Sequence, residues 1–184
     1  MLTDPGAGEY TKQYFGKERY SFLCNGSQGH SVPVIDGSYQ QQGRAYEGKI
    51  LDVQTGPDKD VLVMDIAQAY AHDRLQSLIR RLTFEKKGKG RLVVQDRYTF
   101  REPPASIVER FVTFLKPTEI AEGRVRIQGR RTAELVYDAD QLACTIQRAD
   151  FVNHQSGKVD LYLIDLAVKS PGVEEQVTVS VEIG

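Results

Sequence analysis

The sequence predicts an all-β fold, an antiparallel two-sheet sandwich of about a dozen strands with at most one short helical turn. Three observations carry this. Apolar and polar residues alternate from end to end with the period of a pleated strand, as in Val177-Thr178-Val179-Ser180-Val181-Glu182-Ile183. Turn formers separate the runs, among them Gly56-Pro57-Asp58, Lys86-Lys87-Gly88-Lys89-Gly90, Pro103-Pro104, Glu122-Gly123 and Ser156-Gly157. No run of helical periodicity is long enough to rival the strands.

In chain order, Leu2-Thr3-Asp4-Pro5-Gly6 reads as the tail of a strand entering a turn, so the chain is expected to start inside a structural unit. His30 then opens a short apolar strand, Val32 to Ile35, ended by the Asp36-Gly37 turn and a glutamine cluster. Less regular strand runs follow at 45–53, 60–66, 75–84, 91–100 and 107–115. The clearest runs are 125–127, 142–146, 159–168 and 177–183. The helical turn is expected near Ala67–Tyr70, where alanines interrupt the β-branched pattern. No repeat and no long linker divides the chain, so residues 1–184 are expected to form one sandwich domain.

The composition excludes several classes of function. With 24 Lys and Arg against 25 Asp and Glu, the net charge is −1 and no overall field favours nucleic acid or an anionic membrane. No stretch approaches the ~18 consecutive apolar residues of a membrane span, and Met1-Leu2-Thr3-Asp4 lacks the basic start of a signal peptide. Cys24 and Cys144 are too few for a disulfide framework and sit in apolar runs, as buried free thiols do. No Ser-His-Asp, Cys-His or paired-carboxylate constellation emerges, and no catalytic residue is assigned.

Asp4 and His30 are the candidate metal ligands. Zinc takes His, Cys, Asp or Glu donors at about 2 Å and needs three or four of them. Neighbouring strands could bring this carboxylate and imidazole together. By residue pattern alone, a turn-capping Asp and a hydrogen-bonded strand-edge His are the more common explanation of the two. Tyrosines are frequent, five of the nine lying at Tyr10, Tyr14, Tyr20, Tyr39 and Tyr46, where a phenol could act as an acid or base or stack on a sugar.

Several segments together resemble the heparinase II/III-like polysaccharide lyases. They are Leu2 to Thr11, Arg19-Tyr20, Gly29-His30-Ser31-Val32-Pro33-Val34-Ile35-Asp36-Gly37, Gln40 to Gly43, Asp65 to Tyr70, Arg80 to Phe84 and Leu92 to Arg97. The resemblance implies the C-terminal β-sandwich of a larger enzyme, with the α/α toroid and the first sandwich strands missing. The full enzymes cleave uronic-acid-containing glycans by β-elimination, so the implied partners are an acidic polysaccharide and the missing toroid. The glycan itself, heparan sulfate, alginate or another uronate, is left open. A bacterial, periplasmic parent follows from the resemblance only. It further implies that Asp4 and His30 hold a zinc ion whose third ligand, a histidine upstream, lies outside this sequence. The chain alone is expected to be inactive and to expose an apolar patch through which it could form a homodimer. The alternative is a non-catalytic carbohydrate-binding or assembly module of the same fold. A cupin-like metalloenzyme is disfavoured, because no cluster of histidines falls on neighbouring strands.

Overall fold

A computed structural model describes all 184 residues. Twelve strands form two antiparallel sheets. The small sheet has the order β1-β6-β11-β10 and the large one β2-β3-β4-β5-β12-β9-β8-β7. The small sheet takes β1 (Val34–Ile35), β6 (Ile107–Thr113), β10 (Leu142–Val152) and β11 (Lys158–Val168). The large sheet takes β2 (Lys49–Thr55), β3 (Lys59–Asp65), β4 (Leu75–Glu85), β5 (Arg91–Phe100), β7 (Pro117–Ala121), β8 (Arg124–Gln128), β9 (Thr132–Tyr137) and β12 (Glu174–Ile183). The expected helical turn is a single 3-10 turn at Ala67–Ala69.

Alternation decides which side chains enter the core. On β12, Val177, Val179 and Val181 are buried and face Ile164, Leu166 and Val168 of β11 within one apolar cluster, which also takes Leu78, Val94, Tyr98 and Phe111. Fully burying one such aliphatic side chain contributes about 1.5–3 kcal/mol. The final strand in the sequence thus lies inside the large sheet, hydrogen-bonded to β5 on one side and β9 on the other.

Strand β11 reads as a nearly continuous apolar run because both its faces are covered. Ile164 and Leu166 join the main core, while Leu161 and Leu163 form a second cluster with Val112 and Phe151. Leu23 and Cys24, from the irregular N-terminal segment, pack on that second cluster. The segment is tied down by backbone hydrogen bonds from Thr3 to Val112, from Glu9 to Val152 and from His154 to Ala7. Arg110 adds a hydrogen bond to the Gln28 carbonyl at 2.8 Å. The segment before β1 therefore packs on the small sheet through Leu23, Cys24 and Gln28, and this brings Asp4 and His30 together.

The Asp36-Gly37 turn forms as expected. Both residues have positive φ, 50° and 71°, and Ile35 bridges Ser38 across them. This is the hairpin geometry for which Asp-Gly is preferred.

The large sheet is twice as wide as the small one, so its core-side face runs out beyond the cover. One cross-strand row reads Tyr137, Val179, Val94, Leu82, Leu62, Val53. Its first three members are buried, the next two half-buried, and Val53 on β2 is 59% exposed. Ile50, in the neighbouring row with Met64, is 63% exposed. Ile50 and Val53 thus form an exposed apolar patch on this open edge strand.

Candidate functional site

The sequence-predicted pair meets. His30 Nδ1 lies 3.3 Å from Asp4 Oδ2, with the histidine side chain 28% and the aspartate 72% exposed. The other imidazole nitrogen, Nε2, is 3.3 Å from the Cys24 carbonyl oxygen. A carbonyl only accepts, so Nε2 carries the hydrogen. Nδ1 then faces the Asp4 carboxylate. Asp4 also acts as a turn cap, its Oδ1 accepting from the Gly6 N–H at 2.8 Å.

Two ligands of a tetrahedral zinc, each about 2.0–2.1 Å from the ion, stand about 3.3 Å apart. The Asp4–His30 spacing meets that requirement, and the Nε2 contact to a backbone carbonyl is the kind of support that orients a metal-binding imidazole. No third His, Cys, Asp or Glu completes the group. Cys24 is close enough for the Asp4 charge to act on it, but burial first of all pushes its thiol up, away from the thiolate a metal needs. Cys24 and Cys144 are both free and half-buried.

Beside His30, a cleft of about 560 Å³ opens between loop 20–32 and residues 39–42. The glutamine cluster singled out in the sequence forms one wall and Tyr20 and Tyr39 contribute rings. Hydrogen bonds fix the two walls: Gln28 Nε2 donates to the Tyr20 carbonyl at 2.9 Å and the Gln40 N–H donates to Ser27 Oγ at 2.8 Å. Tyr10 and Tyr14 lie elsewhere, in an aromatic group with Phe15 and Phe22.

Two charged clusters escaped the sequence reading. The first bridges the sheets. Arg80 on β4 donates to both carboxylate oxygens of Asp96, directly opposite on β5, and to Glu109 Oε2 on β6 at 3.2 Å. Tyr98 O–H donates to Glu109 Oε1. Burial, and then the Asp96 charge, raise the Glu109 carboxyl well above its ordinary range. One guanidinium cannot balance two buried carboxylates, and a proton on Glu109 makes the group neutral. Its members are closed off from solvent, so the cluster braces the core and has no access to a substrate. A clue existed in the sequence: Arg80 and Asp96 occupy inward positions of otherwise regular strands.

The second cluster holds the β1 turn. Asp36 accepts from His72 Nε2 at 3.0 Å, from the Ser106 N–H at 2.8 Å and from Arg74. Burial alone would raise the Asp36 carboxyl, but these donors hold it below the usual carboxylate range. His72 and Asp36 are 36 residues apart in the sequence.

No family model and no curated protein matches the sequence. Solved structures do match in fold. A heparan sulfate lyase HepC mutant from Pedobacter heparinus is 16% identical, with a TM-score of 0.72 over 99% of this chain and 28% of that one. A heparinase III structure is 15% identical, with a TM-score of 0.69 over 99% and 27%. The heparinase III BT4657 gene product is 13% identical, with a TM-score of 0.70 over the same shares. The chain spans a little over a quarter of the length of the proteins it matches. Across nearly its whole length, this chain has the β-sandwich fold that these heparan sulfate lyase and heparinase III structures contain.

Proposed function

We propose that the chain is the C-terminal β-sandwich of a heparinase III-like polysaccharide lyase and has no turnover of its own. The observation that carries this is the fold match over 99% of this chain and only 27–28% of each heparinase III structure. In the larger protein, an α/α toroid would supply most of the substrate groove. The reaction would be β-elimination: the uronate carboxylate is neutralised, the C5 proton leaves to a base, and the leaving oxygen is protonated. None of these roles is assigned to a residue here.

Asp4 and His30 would hold zinc with a ligand from the larger protein. The ion would supply a fixed positive charge that ties the N-terminal segment to the sandwich. The Nδ1–carboxylate contact and its 3.3 Å spacing support this reading. The test is to follow the ultraviolet absorbance of unsaturated uronate with heparan sulfate and alginate as substrates. The expected result is no product from the 184 residues alone and product from the longer protein that contains them. Turnover by the isolated chain would refute the proposal.

The second reading is a carbohydrate-binding module, favoured by the cleft with its tyrosines and amides. Sugar binding by the chain, with no lyase activity in the longer protein, would select it.

A further inference from the structure

We infer that Arg110 and Arg80 are positioning residues for His30: each holds a backbone carbonyl beside that histidine, and together they fix the imidazole in its metal-binding pose before an ion arrives. The inference rests on the reading that Asp4 and His30 hold zinc. A guanidinium carries its N–H donors in a rigid fork, so one paired with a carboxylate still has donors to give. Arg110 on β6 lies opposite Asp165 on β11, with Nε and Nη2 each 2.7 Å from the carboxylate, and its Nη1 donates to the Gln28 carbonyl at 2.8 Å. Arg80 on β4 lies opposite Asp96 on β5, and its Nη1 donates to the Ser31 carbonyl at 2.9 Å. Those carbonyls stand two residues before His30 and one residue after it. One clamp therefore rises from each sheet, and His30 is held between them.

The clamps are themselves rigid. Both arginines are buried and each is locked by its carboxylate, and an anchor that is already ordered adds no entropy cost when a ligand binds. Between them the loop has little slack. The His30 N–H donates to the Ser27 carbonyl at 3.1 Å and the Val32 N–H to the His30 carbonyl at 2.9 Å. Ser31 Oγ accepts from the Val112 N–H of β6 at 3.1 Å. Gly29 lies so close to the preceding turn that a Cβ there would stand 2.2 Å from the Leu23 carbonyl oxygen. That approach seats the next carbonyl, of Cys24, where His30 Nε2 meets it at 3.3 Å, and leaves Nδ1 turned to Asp4. A metal ligand oriented by such supports is ready for the ion, and losing a support costs metal affinity.

The experiment has two readouts: zinc affinity, by chelator competition, in the longer protein that supplies the third ligand, and the His30 χ1 rotamer, from NMR couplings, in the zinc-free 184-residue chain. Arg110→Lys keeps a charge for Asp165, but its single nitrogen cannot also reach the Gln28 carbonyl. Arg110→Met with Asp165→Leu removes the pair together, so no charge is left buried alone. Both variants are expected to bind zinc about 10- to 100-fold more weakly than the wild type, the usual cost of losing a support behind a metal ligand. Both should also average the His30 rotamer, which is single in the wild type, and the same spectra report that each variant is folded. Arg126→Lys, an exposed fork on Glu134, should match the wild type in both readouts. Wild-type zinc affinity with an unchanged rotamer in the folded double variant would overturn the inference, as would an equal loss in Arg126→Lys. No zinc in the wild type would instead refute the zinc reading, and the His30 rotamer would then decide the positioning by itself.

Discussion

Replacing Glu109 with glutamine tests the charge balance inside the sandwich. In the folded chain Glu109 is 1% exposed, receives hydrogen bonds from Tyr98 and Arg80, and is raised by burial and by Asp96. An unfolded glutamate titrates near 4.3. The folded state therefore keeps a proton that the unfolded chain releases above about pH 4.5. The stabilisation from that proton is complete below the unfolded pKa and is lost as pH rises toward the folded one. The slope for one proton is about 1.4 kcal/mol per pH unit, or about 2.7 kcal/mol between pH 5 and 7 while the folded group stays protonated. Glutamine keeps the shape and stays neutral, so E109Q should lack this slope and should gain on the wild type as pH rises. Urea midpoints at constant m, measured from pH 5 to 8, give the difference between the two curves. Parallel curves would mean that Glu109 is ionised in the fold, and the reasoning would fail.

Removing the cation from the same cluster should be far more harmful. Arg80→Met leaves Asp96 buried without its partner and should cost about 3–5 kcal/mol by urea denaturation; a loss under 1 kcal/mol would show that water reaches the carboxylates. At the Asp4–His30 pair, elemental analysis of the longer protein that supplies the third ligand should find zinc in the wild type and none in Asp4→Ala. Equal zinc in both proteins would remove Asp4 from the ligand set. Ile50→Lys with Val53→Lys, on the uncovered end of the large sheet, should change stability by less than about 0.5 kcal/mol per site. In sedimentation the wild type should associate with rising concentration and the double variant should not; a wild type monomeric throughout would show that this face drives no dimer.

The strands were legible where alternation was strict. The runs expected at 91–100 and 159–168 match β5 and β11 to within a residue. Strand β10 was read only as far as Ile146 but continues to Val152, because Gln147-Arg148 interrupts the apolar alternation before Ala149 and Phe151 resume it. Strands β7 and β9 were missed as separate elements: β7 exposes four of its five residues, and β9 is only six long. The Asp4–His30 contact was readable as a pairing of residue types, and the glutamine cluster as a marked segment. Their enclosure of a cleft was not readable, since it depends on a loop folding over the small sheet. In the Arg80–Asp96–Glu109 cluster the inward charges were a clue, but their pairing was not readable, for a different reason. Its members lie 16 and 29 residues from Arg80, and their partners are set by strand register, which a single sequence does not print.

The place of β12 has a consequence for how this protein must be made. Since Glu174–Ile183 lies between β5 and β9, a nascent chain that has emerged only as far as residue 170 holds two partial sheets with a gap where the joining strand belongs. The strands flanking that gap, β5 and β9, then offer unpaired edges to neighbouring polypeptides. Closure must wait for contacts spanning about eighty residues, a topology that folds slowly. Chaperone demand during synthesis, and not thermal stability afterwards, is therefore where a shortened C-terminal strand should first reveal itself.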